Sequence, residues 1–223
     1  VWIRRSFEKS PKSLYTQKSE KIWREKENVY FKHKIKRGGV VNVTILNGNP
    51  NADNVKFDSY LKNLSDLLES GNHTVTLLKL REMEIKYCTG CFGCWIKTPG
   101  KCVVSDDMRD MRRAYIHSDL VLFASPVIMG FTSALLKKAH DKLIPLLHPY
   151  FEFVQNEVHH LSRYEKYPLM GLLLEKDKNT DEEDIKIISD IYRRDAINFK
   201  TSFRFVKLTS DPMEEVANEI NSI

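Results

Sequence analysis

Apolar residues along this chain recur at two spacings, and the two spacings alternate. Val40-Val-Asn-Val-Thr-Ile-Leu46 is a β-branched run that predicts a buried strand. Asn47-Gly-Asn-Pro-Asn51 breaks it. Phe57, Leu61, Leu64 and Leu68 then mark one face of a helix that Gly71 stops. His73 to Leu80 predicts a second strand. After a polar, cysteine-bearing loop, Ser105-Asp-Asp107 opens a helix with Met108, Met111 and Tyr115 on its inward face. Asp119 to Ala124 is the third and most apolar strand, and Ser125-Pro-Val-Ile-Met-Gly130 is the turn leaving it. Leu135, Ala139 and Leu143 give a helix that Pro145 ends or kinks. A longer excursion follows from Leu146 to Tyr167.

Pro168 to Leu174 predicts the fourth strand. Thr180-Asp-Glu-Glu183 reads as a capping box, and Ile185, Ile188, Tyr192, Ala196 and Phe199 form the face of the helix behind it. Phe203 to Leu208 is the fifth strand and Pro212 to Ile220 a last helix. Five alternations of strand and helix call for a doubly wound α/β fold, a parallel sheet covered on both faces. Such sheets bind ligands beyond the carboxyl ends of their strands, where the strand order reverses. The loops leaving strands one and three are therefore the candidate site.

Composition adds three constraints. A chain of 223 residues with 42% hydrophobic content holds one sizeable core. No apolar run reaches the roughly 18 residues of a membrane span; the longest, Leu120 to Phe131, is interrupted by Ser125 and Pro126. With no secretory segment in view, a cytoplasmic, reducing compartment is expected. Charge is uneven. Residues 1–39 carry an excess of eight positive charges, against +5 for the whole chain, so residues 40–223 are net negative by three. We divide the chain there into a basic N-terminal extension and a catalytic body. Basic residues of the extension are interleaved with Glu8, Glu20, Glu25 and Glu27, and no nucleic-acid reader motif is present. Its Trp2, Trp23, Tyr30 and Phe31 suit packing against a neighbouring subunit, so an oligomer is expected rather than nucleic-acid binding.

All four cysteines fall in one window: Cys88, Cys91, Cys94 and Cys102, a C-x2-C-x2-C-x7-C run. Thiolates are nucleophiles and soft ligands. Successive three-residue steps resemble the spacing that wraps an iron–sulfur cube, although Val103 stands where bacterial ferredoxins have proline. Zinc sites use two separated pairs, and disulfides fit poorly across such short spans. The cluster leads, free thiols come second and zinc third.

No G-x-G-x-x-G follows the first strand and no G-x-x-x-x-G-K-[ST] occurs, so neither nucleotide fingerprint is present. The turn is instead Asn47 to Asn54 at a helix amino terminus, which offers N–H groups to an anion. A plain Asn-rich turn with a cap fits the same residues. His159-His160 beside Glu157 and Arg163 read as a surface or subunit contact, with ligand or acid–base roles as the alternative. Glu182-Glu183-Asp184 reads as an acidic first turn. Trp95 and Phe92 either cover a cofactor or simply pack.

Leu-Asn-Gly-Asn-Pro at 46–50, the cysteines running into Asp106-Asp107-Met108, Ala-Ser-Pro-Val at 124–127 and Ser133-Ala-Leu-Leu-Lys137…Asp141 together resemble the NADPH-dependent FMN reductase family. The cysteine run is similar to its iron–sulfur flavoprotein branch. This resemblance, over about residues 40–208, implies a flavodoxin-like five-stranded parallel sheet of order 2-1-3-4-5 with FMN across the first and third loops. It implies Asn49, Asn51 and Asn54 at the phosphate, and Ser125, Pro126, Val127, Ile128 and Gly130 at the flavin ring, through backbone groups. It also implies electrons from NAD(P)H or a protein donor, passed to a quinone, flavin or other acceptor, and a homodimer or larger assembly. A [4Fe–4S] cluster at Cys88, Cys91, Cys94 and Cys102 completes the expectation. Val55 replaces the family's common Thr, and Asp53 adds a negative charge to the phosphate loop. The rival readings are a non-enzymatic electron carrier and a thiol redox sensor.

Overall fold

The computed structural model describes residues 39–223, so the basic extension expected at 1–39 lies outside the described residues but for Gly39. Elements follow in the order β1 (Asn42–Asn47), α1 (Val55–Ser70), β2 (Thr74–Lys79), α2 (Gly93–Ile96), α3 (Met108–His117), β3 (Leu120–Ile128) and β4 (Phe131–Thr132). They continue with α4 (Ala134–Asp141), β5 (Leu147–Val154), β6 (Glu157–Ser162), β7 (Leu169–Glu175), α5 (Glu182–Asn198), β8 (Phe203–Leu208) and α6 (Met213–Asn221). The sheet order β2-β1-β3-β7-β8 is parallel throughout. Counting only these five long strands, that is the flavodoxin-like 2-1-3-4-5.

Alternation along the strands sends side chains to two separate cores. Val43, Ile45, Leu120, Leu122, Leu169 and Leu173 meet Phe57, Leu61, Leu64 and Leu68 of α1 and Val216 and Ile220 of α6. Leu46, Val121, Phe123, Met170, Leu172 and Leu174 meet α3, α4 and α5 through Met111, Tyr115, Leu136, Ile188 and Tyr192. Helices thus cover both faces, as a parallel sheet requires.

Three local expectations are corrected. First, β3 does not end at Ala124 but runs on through Ile128, and turns only at Met129-Gly130. Both residues have positive φ (53° and 74°), the twist a two-residue turn needs to join β3 to β4. Second, the excursion after Pro145 holds an antiparallel hairpin, β5–β6, closed by Gln155-Asn156 at φ 53° and 65°. Third, α5 is capped one residue later than expected. Asp181 accepts from the Asp184 N–H and Asp184 accepts from the Asp181 N–H. The Thr180 hydroxyl is engaged instead with Asp177 in the preceding turn.

Candidate functional site

The carboxyl ends of β1 and β3 are held together by backbone. Gly48 N–H donates to Ala124 O at 2.8 Å, and the Ser133 hydroxyl donates to Gly48 O while accepting from Leu136 N–H. Ser133 is therefore both the cap of α4 and the tie between the two loops. A Cβ on Gly48 would lie 2.7 Å from Leu136 Cβ, so this approach needs glycine.

Within the first loop the asparagines fold the backbone onto themselves. Asn47 Oδ1 accepts from Asn49 N–H, Asn49 Oδ1 from Asn51 N–H, and Asn51 Oδ1 from Asp53 N–H. These successive Asx turns make the loop self-bonded. Asn49 is fully buried, its amide donating to Asn54 O and Asp58. Arg81 clamps the same Asp58 through both carboxylate oxygens. Burial pushes the Asp58 carboxyl up, but hydrogen bonds from Arg81, Asn47 and Asn49 outweigh it and hold it below the ordinary value. Asn54 caps α1 through Oδ1 to Phe57 N–H, while its Nδ2 donates to Glu175 Oε2 at 2.6 Å. Asn51 is exposed. The N–H groups of Val55 and Lys56, in the first turn of α1, have no intrahelical acceptor and remain for an anion.

The second loop presents β3 and its turn. Ser125 is buried, its hydroxyl donating to Pro126 O and accepting from Ser133 N–H. Pro126 is half-buried, Val127 buried and Ile128 exposed, with the fully open Met129 beside it. A Cβ on Gly130 would lie 2.7 Å from Asp184 Oδ1, so this turn abuts the amino end of α5. Asn49 and Ser125 thus spend their side chains on hydrogen bonds within the fold of the two loops. Asp58, Arg81, Ser133 and Glu175 were not read from the sequence as part of this site. Only Ser133 left a signal there, a serine directly before a helical apolar pattern.

The four cysteines line one recess open to solvent, whose wall includes Lys142, Ile144 and Pro145. All four are free thiols, Cys88 and Cys91 exposed, Cys94 buried and Cys102 between. Among the described residues no three His, Cys, Asp or Glu side chains converge on one metal ion. The Gly93 N–H at the start of α2 holds the Cys91 thiol below its ordinary value, while burial pushes Cys94 up, helped by Cys102.

Behind the recess Lys142, 2% exposed at its side chain, is ion-paired with the buried carboxylate of Asp106. Asp106 also accepts from the N–H groups of Lys86 and Met108. Trp95 anchors the cysteine loop to the hairpin, donating to Leu147 O at 3.0 Å and stacking on Phe92, with the His160 ring tilted against it. His159 is buried against Glu157, and His160 bonds His148 O. Both histidines therefore build the hairpin and stand apart from the two loops. Arg163 likewise bonds Leu147 O. Glu182, Glu183 and Asp184 form the acidic first turn of α5, as expected.

Among solved structures the fold is similar to an NAD(P)H:quinone oxidoreductase from Methanothermobacter marburgensis, with TM-score 0.53 and 16% identity over 82% of this chain and 94% of that one. It is also similar to an FMN-dependent NADH-azoreductase from Bacillus anthracis, with TM-score 0.51 and 12% identity over 80% and 93%. In sequence the chain is 37% identical over 81 residues to an iron–sulfur flavoprotein of Archaeoglobus fulgidus, 36% of each protein. It is 34% identical over 83 residues to one of Methanocaldococcus jannaschii, 37% of this chain and 42% of that protein. The matched stretch thus spans about two fifths of the length of these curated relatives. The profile of the NADPH-dependent FMN reductases matches residues 41–164, more than half of the chain, and the chain belongs to that family.

Proposed function

We propose that this protein binds FMN at the Asn47–Asn54 and Ser125–Gly130 loops and passes electrons from NAD(P)H to a quinone, a flavin or another acceptor. The observation that carries this reading is the closure of the two loops on each other at the switch point of the sheet, through Gly48 and Ala124. Bound there, FMN supplies hydride and single-electron chemistry; the protein supplies position and electrostatics. The first-turn N–H groups of α1 would hold the phosphate, and the backbone of residues 125–130 would border the ring. No side chain is assigned as a general acid or base.

The four cysteines would hold a [4Fe–4S] cluster, in keeping with the shared recess and with the iron–sulfur flavoproteins this chain resembles. Helix α4 links the two sites: Ser133 at its start ties the flavin loops, and Lys142 just past its end borders the recess. Nine residue steps at 1.5 Å rise set Ser133 and Lys142 about 13.5 Å apart along that axis. A single helix thus carries both ends of a short electron path.

Titration of flavin-free protein with FMN, followed by fluorescence quenching, tests the first site. Anaerobic NADPH oxidation with a quinone tests the reaction. Binding without turnover would leave an electron carrier, and no binding would remove the reading. We assign residues 1–39 an assembly role in a reducing, cytoplasmic setting. Deleting residues 1–36 is expected to lower the oligomer mass or stability while FMN still binds. Unchanged mass by light scattering, with salt-sensitive DNA binding lost on deletion, would point to a nucleic-acid arm.

A further inference from the structure

We propose that Arg81 and Asp58 are positioning residues for the phosphate end of the flavin: together they fix which way the Asn47 and Asn49 amides point, and through them the shape of the first loop. This rests on the FMN reading above. Asp58 lies in the first turn of α1 and Arg81 just past the end of β2, so the pair joins two elements. Their side chains are 16% and 17% exposed. The guanidinium forks both carboxylate oxygens, Nη1 donating to Oδ1 at 3.1 Å and Nη2 to Oδ2. Nη1 also reaches Asn49 O at 3.4 Å.

A carboxylate accepts and never donates, whereas an Asn side chain has a donor end and an acceptor end. Asp58 Oδ1 accepts from Asn47 Nδ2 at 2.8 Å and from Asn49 Nδ2 at 3.0 Å. Both amide oxygens are thereby turned to the loop backbone, where they accept from Asn49 N–H and Asn51 N–H. Asn49 Nδ2 donates in addition to Asn54 O. With the Asn49 amide turned over, its oxygen would face Asn54 O and Asp58 Oδ1, three acceptors without a donor, and Asn51 N–H would lose its partner. Asn49 is fully buried, so no solvent is at hand to repair that mismatch.

Asn54 caps α1, next to the Val55 and Lys56 N–H groups that would hold the phosphate. The orientation set by the Arg81–Asp58 fork is thus relayed through Asn49 to the anion end of the helix. Neither side chain is assigned a contact with the phosphate itself. The fork has a second consequence. Asp58 left unpaired would put a negative charge in the helix turn meant for the phosphate, and Arg81 cancels it.

Two variants separate orientation from charge. Asp58→Leu/Arg81→Met removes the acceptor and the fork together and leaves the net charge unchanged. Arg81→Lys keeps the charge and gives up the fork. Flavin-free forms of both variants and of wild type are titrated with FMN and with riboflavin by fluorescence quenching, and thermal unfolding is measured beside them. The double variant is expected to bind FMN about tenfold more weakly, because two amides must then be ordered on binding, and to bind riboflavin as wild type does. Arg81→Lys is expected to lose FMN affinity by a smaller factor, again sparing riboflavin. A merely structural pair would lower the unfolding temperature and leave the ratio of FMN to riboflavin affinity unchanged; that result, in either variant that folds, overturns the inference. Tighter FMN binding without the pair overturns it as well. Wild-type protein that does not bind FMN removes the reading of the site, and the inference with it.

Discussion

Asn54 performs two tasks with one amide, capping α1 with its oxygen and holding Glu175 with its nitrogen. The carboxylate stands beside the first turn of the helix, where the phosphate of FMN is expected. A carboxylate and a phosphate cannot both take the same N–H, and like charges side by side cost several kcal/mol. Glu175→Gln is therefore expected to tighten FMN binding by about tenfold, roughly 1.4 kcal/mol. Riboflavin, which has no phosphate, should bind both proteins alike. Equal FMN affinities by fluorescence titration would remove Glu175 from the phosphate site. Nothing at residue 175 in the sequence announced this, because 121 positions separate it from Asn54. The asparagines themselves were legible as a turn at a helix start. Their inward orientation was not, since it depends on Asp58 and Arg81 reaching the loop from α1 and the end of β2.

At the scale of elements, Gly48 decides how closely the β1 loop and α4 approach. Gly48→Ala places a methyl group against Leu136 Cβ and Ala124 O, both in tight contact. Overpacking of this kind costs about 1–3 kcal/mol. It must also part the two loops, so thermal unfolding should fall and flavin affinity should fall with it. Wild-type affinity in a destabilised Gly48→Ala protein would show that loop closure does not build the site. The long strands and helices were readable because two periodicities cannot be confused over many residues. The β5–β6 hairpin was not. Its Gln155-Asn156 turn lacks the glycine that flags positive φ, and its strands expose Tyr150, Phe151, Phe153 and Val158 rather than burying one face cleanly. The late turn of β3 was missed for a related reason: Ser125-Pro126 looks like a break, but a parallel strand tolerates it at its end.

Over the whole molecule, carboxylates held below their ordinary value set the response to acid, and Asp106 and Asp58 are the most enclosed of the ion-paired ones. Burial pushes Asp106 up, but Lys142 and the N–H groups of Lys86 and Met108 bring it below the ordinary value, as Arg81 and its neighbours do for Asp58. A carboxyl depressed in the folded state binds fewer protons than in the unfolded chain, so stability rises with pH there. The contribution is complete above the unfolded value of about 4 and is lost as pH falls through the lower folded values. The urea midpoint should therefore drop steeply below about pH 4. Asp106→Asn should be less stable at pH 7 by about 3–5 kcal/mol, because Lys142 is left buried and unpaired. It should also lose part of the acid dependence. A variant with the wild-type pH profile would show that this pair does not govern it.

The sequence by itself determined the class of fold, the five long strands and the ends of the sheet where a ligand belongs. Those follow from local alternation, helix periodicity and caps, which act over a few residues. It also brought four thiols to one place, since they lie within fifteen positions. Only the tertiary structure decided which polar groups remain available. It turned Asn49 and Ser125 inward, brought Glu175 to Asn54 and paired Lys142 with Asp106 behind the recess. The physical reason is that hydrogen bonds and buried charges are settled between segments distant in the chain, and pattern along the chain carries no record of those partners.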